Sequence, residues 1–372
     1  MNTRKIRCTL MLLAGMLLPF SGCAKEEVQS EAAPETETRP AATQPPTEPE
    51  TQPAPQTEPP TEPQQNNSIN PLTGESGYPD AAAGKRPIAV MVNNLAQAYP
   101  QYGIAQADIL YEVPVEGGVT RMMAVYADLS NVPDVGSVRS CRYYFPKLAM
   151  GMDAVYCHWG AEQFHAVSIL SALNIDRFDG GDLEHSLLFY RDPERVGRYS
   201  SEHTGYLRGS DIPAAMEQYG IREYAVSRDT LFDFAETAET PAEAACTRAV
   251  ISFSESSSTG FTYDPAAKLY YADHNGSPQM DGHASQQLTF SNVFVLQTDI
   301  SYLDDTNYLR RVELEGGSGY YVSLGGMESI RWEKADDRSP IVCYAADGTE
   351  LRVNAGNSYI GIVGNTRGLY FE

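Results

Sequence analysis

Arg139 and Arg142 stand three residues apart in the run Gly136-Ser137-Val138-Arg139-Ser140-Cys141-Arg142. On a helix that spacing puts both guanidinium groups on one face. The pattern predicts a helix over Ser137–Met150, with Gly136, Ser137 and Ser140 at its start and Pro146 as a possible kink. A helix start offers unpaired backbone N–H groups and the positive end of the dipole. Two guanidinium forks add bidentate contacts, so the expected chemistry is recognition of a phosphate or carboxylate. Arg121 completes the set. The competing reading is internal: Glu112, Glu116 and Arg121 could form an ion network with the two arginines that fixes the fold. The two readings can coexist.

His158 closes a short apolar run, and strand ends often border clefts in layered folds. With Glu112 or Glu116 it could act as an acid/base pair. A satisfied structural histidine is the alternative. Glu162 and His165 follow at plus four and plus seven, but Gly160 and the strand place His158 outside their helix, so no metal centre is expected. Asp192 with Arg191, Arg195, Arg198 and His203 forms a charged loop, read either as a solvated surface or as a lid. The chain has no HExxH, P-loop, Ser-x-x-Lys, Gly-x-Ser-x-Gly or GxGxxG pattern, and nothing calls for a cofactor.

The elements that must position these groups read in two textures. Pro87–Asn93 is continuously apolar, as in a strand buried on both faces. Asp108–Val115 and Arg121–Ala127 read as two more strands around the turn Glu116-Gly117-Gly118, and Ala154–His158 as a fourth. A second helix is expected over Ala161–Leu173, with Phe164, Val167 and Leu170 as its apolar stripe. Strands alternating with helices predict a layered α/β domain over residues 70–233. Residues 234–247 read as a connection. From 248 to 372, short runs rich in β-branched and aromatic residues sit between turn signals such as Asn275-Gly276 and Asp347-Gly348, which predicts a mostly antiparallel β-rich domain. The expected class is therefore α+β.

The rest of the chain concerns address. Arg4, Lys5 and Arg7 precede an apolar stretch from Cys8 to Phe20, too short to span a bilayer and suited to a signal-peptide core over residues 1–22. Ser21-Gly22-Cys23 looks like the end of a bacterial lipobox, which implies lipidation of Cys23 and a membrane anchor. Residues 23–69 hold ten of the 24 prolines and three Thr-Glu-Pro repeats, a composition that cannot bury enough apolar surface to order itself. At about 3.1 Å per residue when fully extended, such a tether reaches on the order of 100 Å. The formal charge is −22, of which residues 24–69 carry −7 and the chain beyond them −18, against +3 in the signal. A nucleic-acid partner is thereby disfavoured. The remaining cysteines, Cys141, Cys157, Cys246 and Cys343, show no zinc-like spacing and are expected as buried free thiols, with a Cys141–Cys157 bridge as the alternative.

Several blocks together resemble the YerB-like lipoproteins of Gram-positive bacteria. They are Asn70-Pro71-Leu72-Thr73-Gly74, Arg86–Asn94, Ala107–Glu112 running into Val115–Arg121, Gly136–Arg142, and His158-Trp159-Gly160. Asn292-Val293 and Gly317-Ser318-Gly319 resemble landmarks of that family's second domain. The resemblance implies a lipid-anchored, two-domain protein on the extracytoplasmic face of the cell membrane, and implies no reaction. The expectation that follows is a binding or scaffold module for cell-envelope glycopolymer or wall-synthesis proteins. An envelope hydrolase or transferase using His158 with Glu112 and Glu116 is the alternative. A solute-binding lipoprotein fits less well, because the two halves are unlike.

Overall fold

The structure is a computed structural model that describes residues 68–372 apart from 186, 227–229 and 307. The signal segment, Cys23 and nearly all of the tether lie outside the described residues. The strands that matter here are β1 (Ile88–Asn93), β2 (Ile109–Pro114), β3 (Thr120–Tyr126), β4 (Val155–His158), β5 (Arg177–Asp179), β6 (Arg248–Ser252), β7 (Ser258–Asp264), β8 (Leu269–His274), β9 (Asn292–Thr298), β10 (Gly316–Ser323), β11 (Gly326–Glu333), β12 (Ser358–Gly364) and β13 (Leu369–Phe371). Two helices serve the site, α1 (Tyr144–Gly151) and α2 (His165–Leu173).

One eleven-stranded sheet runs through the molecule in the order Ala244–Ala245, β11, β10, β9, β12, β2, β3, β1, β4, β5, with Val342–Tyr344 beside β11. It is mixed. β12 pairs in parallel with both β9 and β2, β1 pairs in parallel with β4, and β3 is antiparallel to both β1 and β2. The sequence segments 70–233 and 248–372 thus meet along the β2–β12 hydrogen bonds. Every residue of β1, β2, β3 and β12 is buried, which explains their largely apolar runs: a strand covered on both faces has no solvent-facing side to alternate, and the charged exceptions, Glu112 and Arg121, need partners inside. β6 and β8, in a separate six-stranded antiparallel sheet with β7 and β13, alternate buried and part-exposed residues as a half-solvated strand must.

The two faces of the large sheet carry two cores. One gathers Met91, Tyr111, Val113, Met123 and Tyr156 with Phe145 and Leu148 of α1 and Leu170 of α2. The other gathers Val92, Leu110, Met122 and Cys157 with Ala249, Phe261 and Tyr270 of the six-stranded sheet. α1 and α2 thus cover one face, and the six-stranded sheet together with the helix Ile212–Gln218 covers the other. Cys141 belongs to the first core and Cys157 to the second, so the sheet separates them; all four described cysteines are free and buried. Burial pushes the Cys141 and Cys343 thiols up to about 12 and the Cys246 thiol up to about 11, which makes them inert.

Two helical expectations are corrected. The first helix begins at Tyr144, not Ser137, and Pro146 lies in its first turn, where its missing N–H has no intrahelical partner to lose. The second runs over His165–Leu173 and buries Ala166, Leu170 and Leu173; Phe164 and Val167 are 76% and 49% exposed. The charged loop is also not a solvated surface throughout, because Asp192, Arg195 and His203 are buried while Arg191 and Arg198 remain exposed.

Candidate functional site

Residues 136–142 are extended, not helical, because their backbone is taken up by neighbouring strands. Asn93 donates its N–H to Ser137 O at 2.9 Å, and Arg139 donates to Met91 O at 3.1 Å, which seats the segment against the end of β1. On the other side Trp159 donates to Arg139 O at 3.1 Å and Cys141 to Gly160 O at 2.9 Å. Val138 donates to Gly205 O at 2.7 Å. The segment is therefore wedged among three pieces of chain, and its side chains are aimed by that wedge. Gly136 is required here by space: a Cβ would come within 2.3 Å of the Tyr206 ring. Its N–H donates to Tyr102 O at 3.1 Å, so the expectation that Gly136 opens a helix and binds an anion is corrected. No helix start exists at Ser137 or Ser140; Ser140 contributes its carbonyl, which accepts from Arg121 Nη1 at 2.5 Å.

The three arginines do come together, with different partners. Arg142 Nε donates to both Glu116 oxygens, at 2.7 and 2.9 Å. Arg139 Nη1 donates to Glu202 Oε2 at 2.8 Å and to Glu202 O at 3.2 Å, and its Nε is buried without a hydrogen-bond partner. Arg121 projects from β3 on the helix-covered side, is 6% exposed, and has no carboxylate within ion-pair distance among the described residues. Burial, then the nearby cations Arg142 and Arg139, pull its guanidinium down to about 9. Three guanidinium groups thus share two carboxylates, Glu116 and Glu202. The internal ion network is therefore present, and Arg121 stands beside it without a carboxylate of its own among the described residues.

His203 braces this cluster. Its Nδ1 is 2.8 Å from Asn93 Nδ2, and its Nε2 is 3.5 Å from Glu202 Oε1. The amide can only donate, so Nδ1 accepts and the proton sits on Nε2, facing Glu202. Burial holds its pKa below the ordinary value. Arg195 locks the same loop: its guanidinium donates to the carbonyls of Gln97, Ala98 and Tyr99 at 2.9, 3.1 and 3.1 Å. The Arg191 guanidinium carbon lies over the Trp159 ring, 4.0 Å from its centre.

The expected acid/base set is not assembled. Glu112 projects from β2 toward the six-stranded sheet and is fully buried. Asn94 Nδ2 donates to its Oε1 at 3.0 Å and Thr120 Oγ1 at 2.6 Å. Thr259 Oγ1 and Tyr359 OH donate to its Oε2 at 2.9 and 2.7 Å. His158 projects from β4 toward the helices, beside Tyr156 at 5.2 Å between ring centres. The two side chains therefore lie on opposite faces of one sheet and cannot share a proton. His158 Nδ1 is 2.8 Å from Gly160 O, its Nε2 is buried without a partner, and burial lowers its pKa. Glu116 is committed to Arg142. Glu162 caps α2, accepting from the N–H groups of Phe164, His165 and Ala166 at 2.8, 2.7 and 3.0 Å. No group of three metal-ligating side chains exists among the described residues.

Asn93, Asn94, Thr259 and Tyr359 were not anticipated. The two asparagines carry a faint signal, adjacent amides at the end of a buried apolar strand. Thr259 and Tyr359 carry none, since they stand 147 and 247 residues from the carboxylate they serve.

Comparison with known proteins adds three findings. Residues 72–222 match the N-terminal domain, and residues 249–360 the C-terminal domain, of the family described as "Protein of unknown function (DUF3048)". A Bacillus subtilis (strain 168) protein named "Putative lipoprotein YerB" is 28% identical over 298 residues, which span 79% of this chain and 85% of that protein. The crystal structure of YerB from Bacillus subtilis superimposes with a TM-score of 0.70 at 26% identity, covering 81% of this chain and 99% of that one.

Proposed function

The chain belongs to the DUF3048 family, with its N- and C-terminal domains in order and a YerB-like fold, and from that premise we propose that it is a lipoprotein acting as a binding module at the outer face of the cell membrane. Cys23 carries the lipid, residues 23–69 form the tether, and residues 70–372 form the head. The head engages an anionic group on envelope glycopolymer or on a wall-synthesis protein through Arg121, Arg139 and Arg142. One observation carries this reading. In a chain of net charge −22, three guanidinium groups converge around two carboxylates, and the buried Arg121 has none of its own. A surplus buried cation is unfavourable unless an anion joins it. Arg139 is the accessible arm, since its partner Glu202 is half exposed and can yield to a competing anion. The name of the Bacillus relative supports the lipid anchor.

The test is binding of solubilised wall fragments and citrate to the full chain in detergent, followed by thermal shift, beside an Arg139→Ala/Arg142→Ala variant. The parent is expected to gain stability with ligand, and the folded variant to lose that gain, an affinity loss of about tenfold or more. Equal gains in both proteins would remove the arginine site from the reading.

A further inference from the structure

A second concentration of positive charge stands at the junction of the two sequence segments. The turn after β2 and the ends of the C-terminal strands enclose a narrow cavity of about 50 Å³, walled by Gly118, Ser254, Gly364, Thr366, Arg310 and Arg367 among others. That volume holds a few waters or one small anion and excludes a sugar ring. No carboxylate lines it. Neither Arg310 nor Arg367 has an ion-pair partner among the described residues, although the molecule as a whole is strongly acidic.

Arg310 is held ready. Its guanidinium lies over the Tyr302 ring at 4.3 Å, which restrains the plane of the fork. Its Nε is buried and finds no acceptor. A buried N–H of a charged group without an acceptor is unfavourable and rare. The Ser254 hydroxyl is engaged elsewhere, donating to Gly118 O at 2.5 Å and accepting from the Ser256 N–H at 3.1 Å.

We infer that this cavity is an oxyanion site, in which Arg310 and Arg367, with the Thr366 hydroxyl as a further donor, take a phosphate or carboxylate group of a ligand. The inference does not rest on Arg121, Arg139 and Arg142; it stands on a cavity lined by two arginines, the half-buried Arg310 and the exposed Arg367, that have no ion-pair partner among the described residues. The Glu116-Gly117-Gly118 turn links the two places, because Glu116 holds Arg142 while Gly118 walls the cavity. A ligand with repeated anionic groups could occupy both.

The full chain in detergent is titrated with inorganic phosphate and, separately, with acetate, against sodium chloride at matched ionic strength, and followed by thermal shift and calorimetry. Phosphate is expected to bind saturably to the parent and to the Arg139→Ala/Arg142→Ala variant. Arg310→Met/Arg367→Met should weaken that binding about tenfold or more. Saturation by phosphate alone assigns a phosphoryl group, and saturation by acetate as well assigns a carboxylate. If the Arg310/Arg367 variant binds as the parent does, or the parent saturates with neither anion, the inference fails. Loss confined to the Arg139/Arg142 variant would overturn it while leaving the first site intact. Should the double variant misfold, phenylglyoxal labelling of the parent decides: phosphate must slow modification of Arg310 relative to the exposed Arg198, and equal slowing or none overturns the site.

Discussion

At the scale of single residues, the most informative group is Glu112. Four neutral donors satisfy its carboxylate, two of them from the far segment, and no cation among the described residues pairs with it. Such a network is favourable only when complete. Glu112→Gln puts an NH2 where an acceptor is needed and should cost roughly 2–3 kcal/mol, whereas Tyr359→Phe, which removes one donor, should cost about 1 kcal/mol. Urea unfolding of both variants checks the ranking; a smaller loss for Glu112→Gln than for Tyr359→Phe would contradict it. The histidines give a pH dependence. His158 and His203 are both held by burial below the ordinary 6.5, so the unfolded chain takes up protons that the folded chain refuses. Stability therefore falls as pH drops below about 6.5. Asp108 acts the other way: burial pushes it up from 3.8 to about 6, so its contribution declines as pH rises through that window. His203→Gln should flatten the acid-side loss, read from urea midpoints between pH 7 and about pH 5; an unchanged slope would show that His203 does not carry it.

At the scale of elements, the segment 136–142 matters most, and it is where reading from sequence failed. Its arginines are spaced three apart, as on a helix, yet the ends of β1 and β4 offer unpaired backbone groups that this segment satisfies only when extended. Nothing local announces those partners. Helix α2 failed more mildly. Around this nine-residue helix two apolar stripes share Leu170, one through Phe164 at its N-cap and Val167, and one through Ala166 and Leu173, and burial chose the second. The strands were legible because burial on both faces leaves few polar positions to blur the run. Gly136 tests how tightly the segment is wedged. Gly136→Ala drives a Cβ into the Tyr206 ring and should cost about 1–3 kcal/mol. Combined with Tyr206→Ala it should cost less than the two separate changes added together, and strict additivity in the double-mutant cycle would argue that the contact is slack.

At the scale of the whole molecule, the two family domains share one sheet. β2 and β12 pair in parallel at its centre, and the Glu112 network crosses the same junction. Separating the segments would expose a long apolar strand edge on each. The head should therefore unfold in one transition, by calorimetry and by urea alike, and residues 70–233 produced alone should aggregate. Two resolved transitions, or a soluble cooperative fragment, would contradict this. Both proposed anion sites border the Glu116-Gly117-Gly118 turn, close to that junction, so ligand occupancy there would stabilise the pairing of the segments by mass action.

The amino-acid order by itself determined which stretches are buried strands, because two-sided burial demands largely apolar residues. It determined the texture change between the segments, because antiparallel half-solvated strands must alternate and turn. It also brought Arg121, Arg139, Arg142 and Glu116 into one discussion as charges needing partners. Only the tertiary structure decided which charges meet. Whether Glu112 faces His158 or the opposite side of the sheet depends on strand parity and strand order, and those are set by pairings as distant as Ser358 with Ile109 that leave no trace in local spacing.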